Sequence, residues 1–285
     1  MHPIMDYLLQ SAELKIVEFD IHARNEMRTF NRTLPSYVMS YLKKGEAKLR
    51  IRDEVYHLVP GTVVIIPPHI EHDHYKESKD ETIFLWCHFT YEIGSALDVM
   101  KIFNLPITFK LQNPETFERV FVDFKDITDS QDFLIKTILK KAKSYEMLYL
   151  LLENIMRSQE KIFEQDHSKG FISMLTQIVK NPEKEISLQE LSNQFHLHPT
   201  YISNRFKELF GKSPIQIHRE LKIDRAKKLL RSTEMTVTEI ANTVGFTVVP
   251  GFTRLFKSYV GISPSQYRNL NTKWNGNLPV VKQEG

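Results

Sequence analysis

Cysteine is almost missing from this chain. Cys87 is the only one among 285 residues, so no intrachain disulfide can form and a reducing compartment suits the sequence. Long apolar runs are missing too. None approaches the ~20 residues a membrane-spanning helix requires, and no membrane partner is expected. The opening Met1-His2-Pro3-Ile4-Met5-Asp6 has neither the cationic start nor the apolar core of a secretory leader, so the expected location is the cytoplasm. The sequence also lacks a glycine-rich phosphate loop, zinc-finger spacing and any pattern that reads as a catalytic triad. The expectation is a protein that is not an enzyme and carries no cofactor.

What is present is an ordinary globular composition, 41% hydrophobic and 26% charged, in a chain long enough for two domains with separate cores. The net charge of +3 is unevenly placed. Residues 181–285 carry 15 Lys and Arg against 9 Asp and Glu, whereas residues 1–180 carry 23 against 26. That asymmetry favours a polyanionic partner for the C-terminal segment, although a merely basic surface would look the same.

Residues 12–92 read as strands. Leu49 and Ile51 alternate with Lys48, Arg50 and Arg52, the pattern of a half-buried strand. Thr62-Val63-Val64-Ile65-Ile66 lies between Pro60-Gly61 and Pro67-Pro68, and Thr82–Phe89 is a further β-prone run. Short strands this closely spaced suggest a small sandwich or barrel. Near residue 113 the spacing turns helical: Phe117, Val120, Phe121 and Phe124, then Leu134, Ile135 and Leu139, then Met147, Leu148, Leu151, Leu152, Ile155 and Met156. The last set is an apolar face that serves either as core or as a helix pairing with a second subunit. The polar stretch Glu164–Gly170 marks a boundary, giving domains 1–166 and 167–285.

The C-terminal domain contains a repeat. Tyr201-Ile202-Ser203-Asn204-Arg205-Phe206-Lys207 with Gly211, Ser213-Pro214 and Gln216 returns as Gly251-Phe252-Thr253-Arg254-Leu255-Phe256-Lys257 with Gly261, Ser263-Pro264 and Gln266, at a constant offset of 50. Each copy follows a short helix opened by a capping box, Ser187 with Glu190 and Thr236 with Glu239. His198 caps the second helix of the first copy, Pro199 suits its first turn, and Gly211 stops it. Two short helices joined by a tight turn make a helix-turn-helix, and here there are two. A helix opened by Ser213-Pro214 joins them, with Ile217, Leu221, Ala226, Leu229 and Leu230 on one side and Arg219, Lys222, Arg225, Lys227 and Lys228 on the other.

On the second helix of each unit, Ile202, Phe206 and Leu209, or Phe252, Phe256 and Tyr259, are expected inward. Outward lie Thr200, Ser203, Asn204, Thr253 and Arg254, whose hydrogen-bonding chemistry suits base edges. Lys207, Lys212, Lys257 and Arg268 are candidates for phosphate contact. A single polar helix face would be unremarkable; a repeated one points to double-stranded DNA.

Residues 168–270 resemble the DNA-binding domain of the AraC/XylS family of bacterial transcription regulators. The resemblance rests on the repeat, on Ile223-x-x-Ala226-x-x-Leu229-Leu230 between its copies, on Glu239-Ile240-Ala241-x-x-Val244-Gly245-Phe246, and on the closing Tyr267-Arg268. The chain departs from the family pattern at Val248, Pro250 and Gly251, where Asp, Ser and Tyr are usual. That removes a helix cap and weakens the first turn, so the second module is expected to be less rigid or less specific. Residues Gly61 to His72 are similar to a motif of the cupin-type sensor domain found in the same family. The resemblance implies an α+β, multidomain chain: a small N-terminal β-barrel followed by helices, then an all-α domain with two helix-turn-helix motifs on a long helix. It also implies a small-molecule effector, often a sugar, in the barrel, a homodimer, RNA polymerase as a partner, and activation of a catabolic operon. His72, His74, Trp86 and His88 are the candidate effector-pocket residues. A metal site is not expected, because the His-x-His pair of the other cupin motif is missing and His22 stands alone. Two alternatives remain open at this point: a cupin metalloenzyme with a DNA-binding tail, and a repressor without an effector.

Overall fold

The computed structural model describes residues 2–103, 105–129, 133–158 and 166–275. A helix, α1 (His2–Ser11), precedes ten strands: β1 (Glu13–Arg24), β2 (Arg28–Arg32), β3 (Tyr37–Lys44), β4 (Ala47–Ile51), β5 (Glu54–Leu58), β6 (Thr62–Ile66), β7 (His72–Tyr75), β8 (Thr82–Ile93), β9 (Leu97–Asp98) and β10 (Thr108–Lys110). Then come α2 (Pro114–Asp129), α3 (Phe133–Ser158), α4 (Asp166–Lys180), α5 (Leu188–Phe195), α6 (Pro199–Phe210), α7 (Pro214–Ser232), α8 (Val237–Thr243), α9 (Val249–Val260) and α10 (Pro264–Asn275). The chain forms two compact units: Glu13–Tyr91 with Phe103–Glu164, and Met1–Ala12 with Glu92–Ile102 and Gln165–Gly285.

In the β-rich unit the strands make two sheets, β1-β8-β3-β6-β10 with β9 on β8, and β2-β7-β4-β5. The core lies between them. Val38, Leu42, Val64, Ile66 and Phe84 from the first sheet meet Ala47, Leu49 and Leu58 from the second. The two-residue side-chain period explains the selection: Leu49 and Ala47 point in while Lys48 and Arg50 point away. The small barrel expected from the sequence therefore takes the form of two facing sheets. The helices α2 and α3 pack on each other, and Phe117, Val120, Phe121 and Phe124 are all buried.

On α3 the apolar residues divide. Met147, Leu148, Leu151 and Ile155 are buried, but Ile135, Ile138 and Tyr149 stand 73%, 74% and 58% exposed. Ile135, Leu139 and Met156, expected within an apolar face, are thus on the surface; the side chain of Leu134 lies outside the described residues. Of the polar boundary, Glu164 and Gln165 also lie outside them, and Asp166–Gly170 form the start of α4.

In the helical unit α1 packs on α4, with Leu8 fully buried and the Lys180 ammonium 4.8 Å from the Tyr7 ring centre. The sequence did not signal α1. Each helix-turn-helix has its own aromatic core. Phe206 touches Phe171 and Phe210 in the first; Phe252 and Phe256 join Ile223, Ala226, Leu230 and Ile240 in the second.

A pair of helix-turn-helix units and a cavity between two sheets

Local chemistry places both reading helices. The capping boxes at Ser187 and Thr236 form in full. His198 caps α6, its ring accepting from the Thr200 N–H, while Gly211 and Gly261 close α6 and α9 in the left-handed conformation. At α9 the N-cap is Val248, with no side-chain hydrogen bond. Gly245, at φ 82°, sits where an added Cβ would lie 1.8 Å from the Glu183 carbonyl oxygen, so backbone approach as well as conformation demands glycine.

Ile202, Phe206 and Phe210 are buried on α6, and Phe252 and Phe256 on α9. Leu209 is only half-buried, and Tyr259 stands 40% exposed rather than inward. The opposite faces carry the expected polar residues. Thr200, Asn204 and Lys207 are exposed and Ser203 half-buried on α6; Arg254 and Lys257 are exposed and Thr253 half-buried on α9. The two faces are chemically parallel, with a cation in each last turn.

Three cations sit differently from the sequence expectation. Lys212 gives its ammonium to Glu220 and to the carbonyl oxygens of Ser95 and Ala96. Arg268 donates to the carbonyls of Leu230 and Met235, at 3.4 and 2.5 Å. Both are half-buried, and these donors are engaged within the fold. Lys222, placed on the outer side of α7 by its spacing, is 5% exposed. It donates to the Gly245 carbonyl and lies 5.0 Å from the Phe246 ring centre. Burial lowers its pKa.

In the β-rich unit His72, His74, Trp86 and His88 line one cavity of about 270 Å³. The sheet period accounts for this. His72 and His74 are two apart on β7, and Trp86 and His88 two apart on β8, so each pair shares a face. The register sets Thr29 opposite His74, Arg32 opposite His72, Val38 opposite His88 and Ser40 opposite Trp86. The His72 Nδ1–H donates to the Ile70 carbonyl at 2.9 Å. Trp86 Nε1–H donates to His22 Nδ1 at 3.2 Å, and Glu18 lies 3.2 Å from His88 Nδ1. His74 Nε2 is enclosed with no hydrogen-bond partner among the described residues. Burial lowers the pKa of His72 and His88 and pushes that of His74 down to about 4, which favours the neutral ring in each.

Sequence reasoning missed the other lining residues of this cavity, among them its charged ones, Glu18, Arg24 and Arg32. Nothing in a lone Arg at a strand end signals which cavity it joins; only the β2–β7 pairing does. Among the described residues no three His, Cys, Asp or Glu side chains are grouped to hold a metal ion, and no helix is long and apolar enough to cross a membrane.

Two family models match the chain in the order of its parts. An AraC-like ligand-binding domain covers residues 16–134 and a helix-turn-helix domain covers residues 191–270. Among curated relatives, the HTH-type transcriptional regulator YisR of Bacillus subtilis is 25% identical over 84% of this chain and 88% of its own length. The Msm operon regulatory protein of Streptococcus mutans is 22% identical over 82% and 84% respectively. Among solved structures, ToxT from Vibrio cholerae aligns with 92% of this chain and 99% of its own at 14% identity and a TM-score of 0.35. With a ligand-binding domain followed by a doubled helix-turn-helix, the chain belongs to the AraC family of DNA-binding transcription regulators.

Proposed function

We propose that this protein reads a bipartite operator with α6 and α9 in successive major grooves of one duplex, as a homodimer, under the control of a small molecule held between the two sheets. The observation that carries the reading is the doubling itself. Two helices with the same glycine stop, the same buried phenylalanine and the same terminal lysine present matching polar faces. Thr200, Ser203, Asn204, Thr253 and Arg254 are assigned to base edges and Lys207 and Lys257 to phosphates. Between them α7 has 19 residues, a rod of about 28 Å. Adjacent major-groove visits lie ~34–36 Å apart, and the width of the reading helices supplies the remainder.

The homodimer is supported by α3. Ile135, Ile138, Ala142, Tyr145, Tyr149 and Met156 follow the alternating three- and four-residue stride of a coiled-coil seam, all on the exposed side. A relative bearing the name of an operon's regulatory protein supports control of an operon; activation through contact with RNA polymerase, in the cytoplasm, is the corresponding expectation. The test is genomic footprinting with the purified full-length protein. A few discrete protected sites upstream of genes are expected. Uniform coverage that simply fades with salt would show charge-driven binding alone and contradict the reading.

A further inference from the structure

We infer that the effector is a small organic monocarboxylate with an apolar body, anchored by Arg32, and not a neutral sugar. The inference rests on the proposed effector role of the cavity and names the class of its ligand.

Arg32 is the argument. It ends β2 beyond a register break between Thr29 and Arg32, where Asn31 takes φ 53° and donates its N–H to Asp73 Oδ1 at 2.7 Å. Bulges of this kind re-aim a side chain, and this one sets Arg32 opposite His72 in the cavity wall. Arg32 is half-buried, yet no carboxylate meets its guanidinium among the described residues. Among the described residues its side chain makes one hydrogen bond, to His88 Nε2 at 3.4 Å. The nearby acids are committed elsewhere: Asp73 to Arg50 and the Asn31 N–H, Glu18 to His88, and Asp20 to Lys125 and His22. A guanidinium in a cavity wall with donors that no carboxylate takes among the described residues is one that a ligand carboxylate can engage bidentately.

The charge count agrees. The lining holds two arginines, Arg24 and Arg32, against one carboxylate, Glu18, an imbalance that favours a negative ligand group. Beside the hydroxyls of Thr29 and Ser40, the wall has an apolar part made by Met27, Val38, Phe84 and Trp86. A cavity of about 270 Å³ is just below the ~300–1,000 Å³ of drug-sized sites, which suits a single ring or a short chain. His74 Nε2, without a partner, is a further polar group that the protein itself leaves unmatched.

The test is thermal unfolding of the full-length protein with benzoate, phenylacetate and hexanoate, against benzamide, phenylacetamide, hexanamide, glucose and arabinose at matched ionic strength. At least one carboxylate should raise the melting temperature with the logarithm of its concentration, while its amide and the sugars do not. Arg32→Gln should weaken that carboxylate about ten- to a hundredfold, and Arg32→Lys should weaken it less. Equal or greater stabilisation by amide or sugar, no response to any of the carboxylates, or an undiminished response in Arg32→Gln would overturn the inference. If Arg32→Gln does not fold, the carboxylate–amide comparison on the unmodified protein and Arg32→Lys decide it. Stabilisation by a sugar alone would sink the carboxylate and leave the cavity as an effector site, and loss of discrete operator sites in footprinting would tell against the proposed function instead.

Discussion

Asn204 and Lys207 lie one turn apart on the exposed face of α6, and their chemistry separates what they should do. An amide can bond adenine at two points, whereas an ammonium neutralises a phosphate of any sequence. Asn204→Ala should cost ~1–3 kcal/mol on the best site and flatten base preference at one position, read by binding to single-base operator variants. Lys207→Ala should weaken binding to every sequence and reduce the slope of log affinity against log salt by about 1. A titration signature belongs to the same scale. His74 is pushed down to about 4 from 6.5, chiefly by burial. Between those values the unfolded chain binds a proton that the folded chain does not, so stability is whole above pH 6.5 and declines as pH falls through the window. The loss from this ring approaches ~3 kcal/mol, and His72, His88 and His218, lowered by the same cause, add to it. His74→Asn should make the melting temperature less dependent on pH between 6.5 and 4; an unchanged dependence would remove His74 from the account.

The two reading helices differ at their first turns, and there the element can be tested. α9 starts at a Val248 cap whose side chain accepts no hydrogen bond and includes Gly251, whose added Cβ would meet only Val248 Cγ2 at 3.6 Å, an ordinary contact. Val248→Asp should add ~0.5–2 kcal/mol through the missing cap, and Gly251→Ala up to ~1 kcal/mol through helix propensity, both visible in denaturant unfolding. Gly245→Ala should do the reverse, losing ~2 kcal/mol or more, since the Glu183 carbonyl occupies the space its Cβ needs. These elements were legible because their signals are local. Caps, stops and a 3.6-residue stripe are written within a few residues, so α5 to α9 could be placed within a residue or so of where they lie. Lys222 could not, because its burial is made by Gly245 and Phe246, more than twenty residues on. The same holds for Arg32, which enters the cavity through strand register, and for α1, whose short apolar side acquires meaning only against α4. His72, His74, Trp86 and His88 were found together because a two-residue spacing on a strand does fix a shared face.

At the scale of the molecule, the exposed seam on α3 and the pair of reading helices make separate demands. Ile138 is 74% exposed on α3; if that seam joins two copies, Ile138→Asp should shift sedimentation to the monomer and weaken binding to a full operator more than to a half-site. A mass that does not change would leave the seam without that role. The central claim is that α6 and α9 engage one duplex together. Base-contact footprinting on an operator found by genomic footprinting, with the unmodified protein, Asn204→Ala and Arg254→Ala, tests it most directly. Each protomer should protect two short patches on one face of the DNA, about 10–10.5 base pairs apart, the one at α9 the fainter. Asn204→Ala should remove protection at one base position of one patch and Arg254→Ala at one position of the other. A single patch per protomer, or patches on opposite faces of the helix, would contradict the account.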